Sequence, residues 1–420
     1  MKSNRLRSLW ITLAGLLLAV LLLAAGMELY EKAYVPSAQA SGVSSSEMPS
    51  LETNQSLVTV NTTRIGSDDP VETAVAVAQI IYPATEEENV PGAVILINWN
   101  SLAEALVAAS RFQHFPVNAP LLYVDENSIP DLTRQEMLRL KPEGVPMDGN
   151  VQVYLVGTIS EAVEREVQQM GYKTRAVRAA NPVELAVTAD DWTSTQHGDH
   201  RNEVVIANLD HLEPAISSAF WNAHMGQGLA FVTDEGVPEA TKELLQRRAN
   251  GPWLYLFGDE TVISAETARE LAQYGHITRM PRSDPAEVSA FFAGFKDVGA
   301  DWGAWFWQSN RDFGWGISEA GHNVVFASLE GPGGWQNAIV ATTLSHMGKH
   351  APVLFVERDQ VPEAVTNYLK ILKPYETAPQ EQLLNHGWII GGEETISWEI
   401  QAQLDLMLDV YFDPSEGGQP

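Results

Sequence analysis

The sequence predicts an α/β protein made of three modules, each a parallel sheet flanked by helices. The first observation behind this is a recurring segment: VQVYLVGTISEAVEREVQQMGYKTRAV from Val151, WLYLFGDETVISAETARELAQYGHITRM from Trp253 and HGWIIGGEETISWEIQAQLDLML from His386. Each copy joins an apolar run, one or two glycines, a polar turn ending in Ser and an amphipathic stretch. The period, expected at roughly 105–115 residues with the quoted starts 102 and 133 apart, is too long for a solenoid and suits three packed modules. The second observation is that the apolar runs are continuous rather than alternating, as in strands buried on both faces. The third is that these runs alternate with stretches of helical period, which implies parallel sheets with helices on both sides.

The elements follow in the same order in each module. In module one, residues 58–180, strands are expected at 93–97, 119–124 and 151–156. The helices between and after them are SLAEALVAASRFQHF, DLTRQEMLRL and EAVEREVQQMGY. Module two, 181–285, repeats this with strands at 203–207 and 229–233 and helices ISSAFWNAHMG and EATKELLQRRA. Module three, 286–412, has strands at 323–327 and 352–356 and helices NAIVATTLSHMG and EAVTNYLKIL. The pairs Ile129-Pro130, Val237-Pro238 and Val361-Pro362 follow the second strand each time, with Pro near the first turn of a helix. The junctions also repeat, starting at Arg64, Arg178 and Arg282. Asp69, Asn181 and Asp284 are each followed by Pro, the pattern of a capped helix start.

Composition narrows the function. The chain has 420 residues, enough for several cores, and a formal net charge of −28. Only Glu28 offsets Lys2, Arg5 and Arg7 in the first thirty residues, so the remainder is more acidic still. Such a surface has no basic patch to neutralise a phosphate backbone, and nucleic acid is excluded as an expected partner. There is no Cys, which removes disulfides, thiolate chemistry, Cys-bound zinc and an acylated-Cys anchor.

The N-terminus reads as a membrane address. A basic flank and a signal anchor are expected over 1–30, with residues 8–27 uncharged and about long enough to cross a bilayer as a helix. Cleavage after Ala40 is the competing outcome. Residues 31–57 are small and polar and read as a flexible linker, and 413–420 as a tail. The bulk of the chain is therefore expected outside the cell.

The motifs resemble the cell wall-binding repeat type 2 family of Gram-positive surface proteins. Arg64-Ile65-Gly66-Ser67-Asp68 with Glu72-Thr73-Ala74 fits the family's opening. Glu104-Ala105-Leu106 sits where Asp-Ala-Leu would. Ala119-Pro120-Leu121-Leu122 and Ala351-Pro352-Val353-Leu354 fit its Ala-Pro strand, and Ile390-Gly391-Gly392 with Ile396-Ser397 its glycine turn. The resemblance spans about residues 58–412. It implies three Rossmann-like modules in a pseudo-threefold arrangement, holding an anionic wall polymer without a covalent bond. The family's Asp-Arg-Tyr triplet is replaced by Asp69-Pro70-Val71, Asn181-Pro182-Val183 and Asp284-Pro285-Ala286.

No GxSxG, HExxH, Walker loop or full GxGxxG occurs. His197-Gly198-Asp199-His200 reads as a solvated loop rather than a metal site. The expected ligand-binding residues are Arg64, Arg178 and Arg282 at the junctions, and Trp302, Trp305, Trp307, Trp315 and Trp335. Flat rings can stack on sugars, and the competing role of the Trp302–Trp315 cluster is to fill the core between modules two and three. No cofactor is expected beyond a divalent cation bridging carboxylates of protein and polymer. The expectation is a membrane-tethered, wall-binding protein facing outward. A solute-binding or sensor protein and a cryptic hydrolase are the alternatives.

Overall fold

The computed structural model describes residues 58–410 except 115, 199, 249–250, 304–306, 347–348 and 375–382, and the backbone alone of 197, 300–303 and 307–310. The expected membrane segment, the linker and the tail lie outside these residues. Among the described residues no helix is long and apolar enough to cross a membrane.

The described chain opens with strand β1 (Thr62–Ile65) and helix α1 (Pro70–Ile81). Then come β2 (Val94–Asn98), α2 (Leu102–Phe112), β3 (Leu121–Val124), α3 (Asp131–Leu140), β4 (Val153–Val156), α4 (Glu161–Gln169) and β5 (Thr174–Val177). The second round is α5 (Pro182–His197), β6 (Glu203–Asn208), α6 (Ile216–Met225), β7 (Gly228–Val232), α7 (Glu239–Gln246), β8 (Trp253–Phe257), α8 (Ala265–Leu271) and β9 (His276–Met280). The third is α9 (Pro285–Gly294), a hairpin β10 (Asp297–Gly303) and β11 (Trp307–Phe313), β12 (Asn323–Ala327), α10 (Gly334–Val340), β13 (Val353–Phe355), α11 (Glu363–Leu372), β14 (His386–Ile390) and α12 (Trp398–Leu408).

Three parallel four-stranded sheets result, ordered β3-β2-β4-β5, β7-β6-β8-β9 and β13-β12-β14-β1. The order is the same each time, with β1 in the place of β5 and β9. The first strand of the chain thus completes the last sheet. Thr62 to Ile65 pair with Gly387 to Ile390, so residues expected to open module one belong structurally to the third module. β1 is tied to α12 there as well: Asn61 N donates to Asp405 Oδ1 at 2.7 Å. Strand handover closes the three modules into a ring.

The sheets bury both faces, as the continuous apolar runs require. In β6, Val205 and Ala207 join the main core, while Val204 and Ile206 join a second, smaller one. Helices α2 and α6, and α10 with the 3-10 turn Ala341–Ser345, follow the first strand of each module and pack on one another at the pseudo-threefold centre. Gln113 Nε2 donates to Thr343 Oγ1 across that centre at 2.8 Å.

The repeated punctuation has a local cause. Asp69, Asn181 and Asp284 cap α1, α5 and α9 by accepting from the backbone N–H of Glu72, Glu184 and Glu287. Ser160, Ser264 and Ser397, the last residues of the polar turns, cap α4, α8 and α12 in the same way. The turn glycines Gly157, Gly258 and Gly391 have φ of 90°, 131° and 103°, a region that disfavours any side chain.

The hairpin is the departure from the repeat. It is antiparallel, pairs Trp302 with Gln308, and among the described residues has no counterpart between α1 and β2 or between α5 and β6. It explains why the third module exceeds the expected spacing.

Candidate functional site

The junction arginines do not occupy equivalent places. Strand register sets Arg64 opposite Ile389, Arg279 opposite Leu256 and Ala176 opposite Leu155. Each of those partners lies two residues before the turn glycine. Arg64 therefore corresponds to Arg279, and not to Arg282 or Arg178. Arg64 is 5% exposed. Its Nη1 donates to Gly391 O and Gly392 O at 2.9 and 2.8 Å, and its Nε to Gln401 Oε1 at 2.9 Å. Arg279 Nη1 likewise donates to Gly258 O and Asp259 O at 2.9 and 2.8 Å. Both hold the glycine turn to the edge strand. Burial pulls Arg64 down to about 10, so it is still charged at neutral pH.

Arg178 and Arg282 are exposed and line open grooves. The first groove, about 590 Å³, runs beside edge strand β5 and brings Lys173, Arg175 and Arg178 together with Asp148 and Glu164. Arg175 is paired with Asp148. Arg178 bonds Glu164 at 2.9 Å and reaches Ile159 O at 2.9 Å. The second groove, about 600 Å³, lies between α9 and α11 and is lined by Arg282, Phe291, Tyr368 and Ile371. There the Arg282 guanidinium sits 5.6 Å from the Phe291 ring centroid.

The tryptophans separate as well. Trp305 lies outside the described residues, and Trp302 and Trp307 are placed by backbone alone, on facing hairpin strands. The hairpin base is core. Phe313 is fully buried and stacks on Tyr255 at 3.6 Å between centroids. Arg311 Nε bonds Asp297 Oδ1 at 2.7 Å, and its guanidinium lies 4.2 Å from the Trp253 centroid. Trp315 is half-buried against Trp221, 5.2 Å away edge-on. Trp335, also half-buried, packs against the main core at the start of α10.

Behind these surfaces lies an ion network. Asp190 on α5 bonds Arg248 at 2.8 Å and lies 3.4 Å from Arg111 on α2, all three side chains being buried. His200, from the segment read as a solvated loop, bonds Asp190 at 2.9 Å. Burial alone would raise Asp190, but Arg111 and Arg248 outweigh it and hold the carboxyl below its usual value.

Sequence reading passed over one set, His114, His224 and His346. They close the helix copies FQHF, NAHMG and LSHMG, and aligning the three helices would have exposed them.

No family model and no curated protein matches the chain. Among solved structures it is similar to Cwp8 from Clostridium difficile, with TM-score 0.62 and 17% identity over 83% of this chain and 52% of that one. It is likewise similar to Cwp6 from Clostridium difficile, with TM-score 0.64 and 15% identity over 86% of this chain and 50% of that one. The chain spans about half the length of each. At these identities the likeness is one of fold, and it covers most of the chain.

Proposed function

We propose that this chain is a wall-associated binding protein of the cell surface, tethered by its N-terminal segment and holding an anionic wall polymer through its module grooves. The observation that carries the reading is the groove beside β5. In a chain of net charge −28 it gathers Lys173, Arg175 and Arg178 along one open trough, where Asp148 and Glu164 offset two of the three charges. The fold supports it, since the two similar structures are of cell wall proteins. An acidic polymer meets a repulsive surface elsewhere, so affinity concentrates where cations are local. Arg282 over Phe291 supplies a second, more apolar trough suited to a sugar face. A divalent cation shared with the polymer is the other route past repulsion.

The test is co-sedimentation of the full chain with purified Gram-positive walls. Binding should fall at least tenfold in the double variant Lys173→Ala/Arg178→Ala and weaken with salt. Binding that ignores both, yet is lost in chelator, would move the contact to bridging cations. Retention in all three conditions would sink the electrostatic reading.

A further inference from the structure

His114, His224 and His346 come from equivalent ends of α2, α6 and the 3-10 turn, and so meet where the three modules meet. The His114 and His346 ring centroids are 5.4 Å apart, and those of His224 and His346 are 6.3 Å apart. A fourth ring, His350, lies 4.8 Å from His224. Among the described residues no group of three His, Asp or Glu side chains is arranged to hold a metal ion. What the four rings share is a titratable imidazole.

Two features of this geometry oppose protonating the rings. His350 Nδ1 and His224 Nδ1 are 3.3 Å apart. One must be bare to accept from the other, so two imidazolium ions cannot make this contact. His346 donates from Nε2 to Asn118 Oδ1 at 3.1 Å. Its Nδ1 is buried with no hydrogen-bond partner among the described residues, so a proton there would have no acceptor. His224 lies flat against Trp315, 5.5 Å between centroids and 16° between planes, with Trp221 at its edge.

We infer that this histidine cluster is an acid-sensitive latch: neutral imidazoles hold the three modules together, and mild acid loosens the ring at its centre. Burial pulls His224 down to about 4, with His350, His346 and Lys296 opposing its protonation as well. Asp312 alone favours the charged form, and it is paired with Lys296. Burial, followed by His350, also lowers His346. The folded values lie below the free imidazole value. The latch is thus fully engaged above about pH 6.5 and is lost as pH falls toward the folded values.

Urea unfolding of the full chain between pH 7 and pH 5 tests this, together with an NMR titration of the histidine rings. From His224 alone, linkage gives a roughly twentyfold rise in the unfolding constant between pH 7 and pH 5. His224→Phe keeps the aromatic contacts and should remove that rise, and His350→Gln should lessen it. A His224→Phe chain with an unchanged pH dependence would overturn the latch. Should that variant not fold, the unaltered chain still decides. A His224 ring that titrates near pH 6.5 rejects the proposal, and one that stays neutral to about pH 4 supports it.

Discussion

At the residue scale, Arg64 and Arg279 show how a motif can be found and still be misassigned. Arginine stands in all three junctions, but the loops between strand and helix cap differ in length. Spacing to the proline therefore does not fix register, and only backbone pairing does. The clamp reading predicts unequal costs. Arg64→Ala removes charge-assisted bonds to two turn carbonyls and to Gln401, buried but for the partly buried Gly392 O, and should cost about 3 kcal/mol by urea unfolding. Arg282→Ala, exposed and loosely paired with Glu287 at 3.8 Å, should cost less than about 0.5 kcal/mol. Equal losses would contradict the register. Asp190 is a second case. Asp190→Asn leaves Arg111 and Arg248 buried without the charge of the carboxylate they share, and should cost about 3–5 kcal/mol. Its folded carboxyl is depressed, so its contribution is present above the unfolded value near about 3.9 and is lost only below it. That acid limb is separate from the histidine window, and a stability curve from pH 7 to 2 should show two steps.

At the element scale, strands, helices and caps were legible because each leaves a local trace. Continuous apolar runs, the Asp/Asn-Pro pairs and the terminal Ser of each polar turn all sit where the chain requires them. Ser264→Ala should cost about 1 kcal/mol, the usual cap penalty, and should leave binding unaltered. The hairpin β10–β11 was not legible. Its sequence is dominated by rings, which read equally as core or as ligand platform, and nothing in the other two modules is comparable. The structure assigns its base to the core through Phe313 on Tyr255. Phe313→Ala should therefore cost about 3–5 kcal/mol in unfolding measurements. A cost below about 1 kcal/mol would mean the hairpin is only laid on the surface.

At the scale of the whole molecule, three modules were legible but their closure was not. Parallel strand pairing between residues more than three hundred positions apart leaves no pattern in a single sequence. β1 could pair with β2 or with β14 on apolar character alone. Closure makes a strong prediction. If β1 belongs to the third sheet and is tied to α12 at Asp405, the described residues form a ring that can be opened at another point. A circular permutant joining residue 410 to residue 58 through about six Gly/Ser residues, and opening at the exposed pair Ala179-Ala180, keeps every strand pairing. It should give the same far-ultraviolet spectrum and unfold within a few degrees of the parent. Removing residues up to 66 instead strips β14 of one of its two neighbours and leaves Gly391 O and Gly392 O without Arg64. That truncation should unfold the third module or leave the chain aggregated through the bared edge. A stable truncation beside a failed permutant would show that the ring is not what holds the third module in place.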